Sequence, residues 1–335
     1  MKPTAQPLLS VKDLSRTFRT GGALRLPGRP SRGGEVRAVR DVSFELGRGE
    51  TLALVGESGC GKSTTARMIA RLTPPTSGSI ALSGRADVPD REYRSRVQMV
   101  FQDPFGSLNP AHTVRHHLAR PLLLHKRATR ADLADRTAEL MDLVGLEQRL
   151  AERHPHELSG GQRQRIAIAR AFAVDPEVVV ADEPVSMLDV SLRLGVLGLM
   201  ERLRDERGTA FLYITHDIAS ARHLGARILV MYAGQVVESG PAGELVDRPA
   251  HPYTSLLVGS VPDPRRPAKA GPGAGRSRAG NPLTGCPFAA RCPLAVDRCT
   301  VDTPPAVEVA GGRWSRCHRA HDQFSASAQK EGAAT

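Results

Sequence analysis

The octapeptide Gly56-Glu57-Ser58-Gly59-Cys60-Gly61-Lys62-Ser63 constrains this 335-residue chain more than any other stretch. It fits the pattern G-x-x-x-x-G-K-S/T. The β-type run 51–55 precedes it, and a segment of helical spacing over 62–72 follows, stopped by Thr73-Pro74-Pro75. The chemistry demands that context. Glycines let the backbone fold into a nest of N–H groups around a β-phosphate, aided by the positive end of the following helix. Lys62 neutralises β/γ oxygens and Ser63 offers a hydroxyl to Mg2+. The chain has only six lysines, so a chance match falls below about one in a hundred. A phosphate loop alone identifies only a nucleotide binder.

Val178-Val179-Val180-Ala181-Asp182-Glu183 supplies a second half. An apolar strand ending in Asp sets a carboxylate at the carboxyl edge of a sheet, where ligands bind in such folds. Asp182 would hold Mg2+ there, directly or through water. Glu183, the next residue, is aimed elsewhere and could polarise an attacking water. The bland alternative is a strand ended by a solvated acidic pair.

The rest of the pattern predicts the fold class. Residues 8–18 alternate enough for a strand, 39–44 and 51–55 are short β-type runs, and 97–101, 178–181, 211–215 and 228–232 are apolar enough for buried parallel strands. Between them, 131–144 and 160–172 have helical spacing. Strands alternating with helices predict an α/β fold with a mostly parallel sheet. Residues 20–34 are rich in Gly, Arg and Pro and read as a loop. Residues 262–281 read as a linker by composition, and 282–335 as a small extension holding four of the five cysteines.

Composition removes other classes. With 40% hydrophobic and 24% charged residues, no run approaches about 18 uninterrupted apolar residues, which excludes a membrane-spanning helix. The first ten residues hold no apolar block of about seven, so no secretory signal is visible and a cytosolic location is expected. Aromatics make up 4%, too few for a single-strand stacking platform. The net charge of +11 is not spread evenly. Residues 1–40 carry nine basic against two acidic side chains, 263–335 eleven against six, and 41–262 are nearly neutral at 26 against 27. The excess therefore reads as solvated tails rather than a binding face; were it a binding face, an anionic membrane surface would explain it as well as DNA would.

Leu158-Ser159-Gly160-Gly161-Gln162, opening a helical segment, is another glycine-rich helix start of the kind that attracts anions. Taken with the phosphate loop, it resembles the ATP-binding-cassette (ABC) ATPases, over about residues 8–260. Gln102 matches that family's Q-loop, Ser186-Met187-Leu188-Asp189 its D-loop, and His216 its switch histidine. Phe18 stands where the family stacks an aromatic on adenine. The resemblance implies a RecA-like parallel core with an antiparallel β subdomain and a helical signature subdomain at about 103–165, all within an ATPase domain of 1–261. It implies that two cassettes close head to tail on two ATPs. Each ATP is held by Phe18, Gly56, Glu57, Ser58, Gly59, Cys60, Gly61, Lys62, Ser63 and Thr64 of one chain. Ser159, Gly160, Gly161, Gln162 and Asp189 complete the site from the other. Mg2+ falls to Ser63, Gln102 and Asp182, and catalysis to Glu183, His216, Gln102 and Lys62. The Cys60 side chain is expected to point away from phosphate.

Residues 97–104, with Ser107-Leu108-Asn109-Pro110, Asp182-Glu183-Pro184-Val185-Ser186 and His251-Pro252-Tyr253-Thr254, are similar to the ATPases of oligopeptide and dipeptide importers. Cys60, the long 20–34 loop and Phe101-Gln102-Asp103-Pro104 resemble the F-type member of that ATPase pair. This implies a D-type partner ATPase, two permease subunits and, indirectly, an extracytoplasmic substrate-binding protein, with the chain peripheral on the cytoplasmic face of the membrane. An ABC ATPase acting on nucleic acid or ribosomes is the alternative, and nickel or another small solute the alternative cargo. Met187 and Ala111 depart from the usual residues without touching a catalytic position.

Cys286, Cys292, Cys299 and Cys317 follow the spacing C-x5-C-x6-C-x17-C. Cytosolic thiols are seldom structural disulfides, and four thiolates in a Pro-rich segment with little apolar content suit a metal centre. Zinc and a four-iron–four-sulfur cluster both accept such a set, and unliganded thiols remain a third reading. Similar tails of some peptide-importer ATPases carry an iron–sulfur cluster, which is what the resemblance implies here. His318 and His321 could substitute as ligands, although a solvated state is the simpler expectation for them and for His112, His116 and His117.

Overall fold

The structure, a computed structural model, describes residues 6–20, 34–260 and 284–325. The expected linker at 262–281 and most of the expected loop at 20–34 lie outside the described residues.

The chain opens with β1 (Leu9–Thr20) and β2 (Gly34–Leu46), an antiparallel pair. Then β3 (Thr51–Val55) runs through the glycine-rich loop into α1 (Lys62–Ile69). β4 (Ser77–Leu82) returns to β1 and completes a three-stranded antiparallel sheet, β2-β1-β4. α2 (Asp90–Arg96) leads into β5 (Val97–Val100). A helical layer follows, made of α3 (Pro104–Ser107), α4 (Val114–Leu124), α5 (Leu133–Leu143) and α6 (Gly160–Phe172). The chain then alternates through β6 (Val178–Asp182), α7 (Val190–Arg207), β7 (Ala210–Thr215), α8 (Ile218–Leu224), β8 (Arg227–Tyr232) and β9 (Gln235–Pro241). α9 (Ala242–Asp247) and α10 (Pro252–Gly259) close that part. The C-terminal extension adds α11 (Arg298–Val301), β10 (Val307–Ala310) and β11 (Arg313–Ser315).

The main sheet has the order β10-β11-β9-β8-β3-β7-β6-β5. Its five strands β8, β3, β7, β6 and β5 are parallel, which bears out the α/β class. Every residue of β3, β6 and β7 is buried, as expected of parallel strands covered on both faces. The two faces feed two cores. Ala53, Val55, Val179 and Ala181 pack under the helical layer, whereas Leu52, Leu54, Val178 and Val180 pack under the antiparallel sheet. That is the period-two alternation of a strand.

Parallel pairing also decides where the loops meet. Val55 lies beside Thr215, Asp182 beside Ile214 and Val100 beside Ala181. The residues that follow β3, β5, β6 and β7 therefore emerge at one edge, where ligands bind in such sheets.

Three expectations need correction. The helix expected over 62–72 stops at Ile69, with Arg71 at φ +51°. The strand expected over 39–44 runs the whole length of Gly34–Leu46, because it pairs with β1 as far as Thr20. The tail, expected to hold too little apolar content to pack, joins both sheet and core. β11 pairs with β9, and Cys286, Phe288 and Cys299 sit in the core under the helical layer. The buried Arg313 guanidinium faces the buried Glu238 carboxylate at 3.4 Å, which also accepts N–H bonds from Ala250 and His251. Among the described residues, no helix is long and apolar enough to cross a membrane.

Candidate active site

The glycine-rich loop is shaped by close approaches that only glycine tolerates. A Cβ on Gly56 would lie 2.2 Å from the Met231 carbonyl oxygen. On Gly61, at φ +110°, it would lie 2.3 Å from that of Ala38. Lys62 is buried, and its ammonium donates to the carbonyls of Gly56 at 2.7 Å and Glu57 at 2.9 Å. Ser58 and Gly59 form the exposed tip, and Thr64 is half-buried on α1. Cys60 turns into the core under the antiparallel sheet, where burial pushes its thiol up.

Behind the loop, Ser63 Oγ donates to Asp182 Oδ1 at 3.0 Å. Asp182 is buried, and desolvation holds its carboxyl above the usual carboxylate range, opposed by the Ser63 bond. A hydroxyl beside a buried carboxylate is a set of hard oxygen donors, which fits Mg2+. Glu183 then turns at φ +46°, a conformation that non-glycine residues adopt at a cost and that clusters at active sites. The turn carries its side chain away from Asp182. Its Oε2 accepts from Gln102 Nε2 at 3.1 Å and lies 3.1 Å from His216 Nδ1. Ser63 thus meets Asp182, and Gln102, Glu183 and His216 meet one another.

Ser159 caps α6 with a capping box: its Oγ accepts from Gln162 N at 3.2 Å, and Gln162 Oε1 accepts from Ser159 N at 2.9 Å. Asp189 caps α7, and the Leu192 N–H it accepts holds its carboxyl below the usual range. The two caps adjoin. A Cβ on Gly160 would touch Leu188 at 3.4 Å, and one on Gly161 would touch Leu192 at 3.3 Å. Among the described residues, no hydrogen bond joins 159–162 to 56–63. Phe18 is 37% exposed, with the Arg16 guanidinium 4.7 Å from its ring centre.

Sequence reasoning missed the surroundings of Glu57. Its N–H donates to the Tyr253 hydroxyl at 2.9 Å, while its carboxylate accepts two bonds from Arg291, at 2.8 and 2.9 Å. Tyr253 belongs to the motif His251-Pro252-Tyr253-Thr254, but Arg291 lies 234 positions away and has no local signal. His117 is buried, 3.0 Å from the Asn109 carbonyl oxygen, rather than solvated. His318 rests 3.0 Å from the Asp302 carbonyl oxygen.

Cys286, Cys292, Cys299 and Cys317 line one cavity, together with Phe288 and His251. All four are free thiols. Burial pushes Cys286 and Cys292 up, and Cys317 up to about 11. Among the described residues, no group of three or more His, Cys, Asp or Glu side chains is gathered so as to hold a metal ion.

Comparison with known proteins supplies the family. Residues 39–186 match the family described as ABC transporter, and 237–299 match the oligopeptide/dipeptide transporter C-terminal region. A probable peptide ABC transporter ATP-binding protein of Sinorhizobium fredii is 46% identical over 292 residues, 84% of this chain and 82% of that protein. A di/tripeptide transport ATP-binding protein of Pseudomonas aeruginosa is 41% identical, covering 95% of this chain and 99% of that one. Among solved structures, a dimeric ATP-binding cassette in a post-hydrolysis state bound to ADP and Pi is 30% identical. It superposes with a TM-score of 0.59, covering 70% of this chain and 98% of that one. The chain belongs to the ATP-binding subunits of ABC transporters, as an ATPase whose C-terminal region is of the oligopeptide/dipeptide transporter type.

Proposed function

We propose that this chain hydrolyses ATP to drive an importer of di- and oligopeptides, working from the cytoplasmic face of the membrane. One observation carries the reading: a match to the ABC transporter family and a match to the oligopeptide/dipeptide transporter C-terminal region occur in the same chain. Two cassettes close head to tail, and the ATP on residues 56–64 of one meets residues 159–162 and Asp189 of the other. The N–H groups of Gly160 and Gly161 at the start of α6 support this, as does the exposed apolar strip Met187, Val190 and Leu194 beside it. Phosphoryl transfer needs positioning and charge neutralisation more than covalent chemistry. Lys62 neutralises the β/γ oxygens. Glu183 accepts the proton of the attacking water, Gln102 orients the carboxylate, and His216 donates to the γ-phosphate. Ser63, Asp182 and Gln102 would hold Mg2+, which supplies charge neutralisation when bound.

The partners follow from the same reading: a second, non-identical D-type ATPase, two permease subunits and, indirectly, a substrate-binding protein outside. Phe105, Leu123 and Leu124, exposed on the helical layer, support a permease contact there. A role on nucleic acid or ribosomes is disfavoured by the nearly neutral body at 41–262. In proteoliposomes holding the permease and partner ATPase, peptide-loaded binding protein should raise ATP turnover at least several-fold. RNA or DNA should leave turnover unchanged. Stimulation by nucleic acid instead of loaded binding protein overturns the reading.

For the tail, we carry the reading of a four-iron–four-sulfur cluster on Cys286, Cys292, Cys299 and Cys317. Their shared cavity supports it; the lack of a gathered ligand set counts against it. Anaerobically purified protein should contain iron and acid-labile sulfide, lost in Cys299→Ser. Stoichiometric zinc without sulfide would replace the cluster by zinc, and neither would leave free thiols.

A further inference from the structure

Glu57 raises a difficulty that its neighbours resolve. A carboxylate in the second position of a phosphate-binding loop repels a triphosphate unless something neutralises it and turns it away. Arg291 does both, through two parallel bonds of 2.8 and 2.9 Å, the arrangement that gives a guanidinium–carboxylate pair its directional strength. The arginine is itself anchored. Its guanidinium lies 5.8 Å from the Tyr232 ring centre and 5.7 Å from that of Phe288. Its N–H closes a short turn onto the Phe288 carbonyl at 2.9 Å. Phe288 is 1% exposed, so the turn bearing Arg291 is fixed by the core.

Glu57 is in turn held at three points. Its N–H reaches Tyr253, its carbonyl accepts from Lys62 and its carboxylate meets Arg291. The same residue thus touches the ATPase core, the phosphate-binding lysine and the C-terminal extension.

From this geometry we propose that Arg291 is a positioning residue for the phosphate loop: it clamps and neutralises Glu57, so the C-terminal extension sets the affinity of the site for ATP. The proposal rests on residues 56–64 being the ATP site. Both partners are about a third exposed, and such pairs add little to stability. The clamp is therefore expected in ATP affinity rather than in folding.

The test is Mg-ATP binding to the full-length chain, measured by calorimetry, with apo-protein melting temperatures recorded in parallel. Arg291→Ala should weaken binding about tenfold at nearly unchanged melting temperature, and Arg291→Lys should recover part of the loss. In a Glu57→Gln background, Arg291→Ala should cost no more than about twofold, because the charge it neutralises is gone; contacting pairs show this kind of coupling. An equal loss in both backgrounds would overturn the proposal by showing that Arg291 acts through the fold. Unchanged ATP affinity in Arg291→Ala would also overturn it. Lys62→Ala separates the two claims. If that variant binds ATP like the wild type, the site reading fails. If it loses ATP while Arg291→Ala keeps it, only the clamp fails.

Discussion

Glu183→Gln is expected to bind ATP within about twofold of the wild type and to lose about 10²–10⁴-fold in turnover, the range set by removing a general base. The substitution keeps the length of the side chain and an oxygen able to accept from Gln102 and His216. A non-glycine residue still occupies the φ +46° turn. What it removes is the capacity to take a proton. Multiple- and single-turnover hydrolysis, measured beside nucleotide titrations, checks this. Near-normal turnover would refute Glu183 as base and shift attention to His216, which lies 3.1 Å from the same carboxylate oxygen.

Lys62→Ala acts at the opposite end of the site and on the other observable. The ammonium is buried and bonded to two carbonyls of its own loop, so its removal leaves the Gly56 and Glu57 oxygens without that donor. It also deletes a cation from the loop proposed to bind phosphate. Hydrogen bonds to charged groups contribute about 1.5–3 kcal/mol each. Losing two such contacts to the triphosphate should lower ATP affinity by about 10²-fold or more. ADP, which lacks the γ-phosphate, should lose less. Equal losses for the two nucleotides would mean that Lys62 serves loop structure rather than the γ-phosphate.

The elements that carry these residues were legible because local pattern and chemistry coincide in them. Thr51–Val55 and Val178–Asp182 are apolar runs ending at a glycine-rich turn and at an acidic pair, and both are completely buried parallel strands. The site residues fall at strand ends, so naming the strands places the loops at one sheet edge. Elsewhere the signal was weak. β11 is only Arg313–Ser315, and its addition to β9 has no periodicity to announce it. Nothing in the sequence around Arg313 announces its burial, yet it is 1% exposed against Glu238. His117 lies among exposed histidines, and its own burial depends on the Asn109 carbonyl and on how α4 packs. The bonds from Arg291 to Glu57 join opposite ends of the chain, and tertiary contacts of that separation leave no trace in either local sequence.

The central claim, that two cassettes share each ATP, is tested most directly by the structure of the Glu183→Gln chain with Mg-ATP and its partner ATPase. The account predicts a γ-phosphate enclosed between Lys62 and Ser63 of this chain and the partner's signature loop, with Ser159, Gly160 and Gly161 facing the second nucleotide. A triphosphate contacted by this chain alone, with residues 159–162 turned to solvent at saturating ATP, would contradict it.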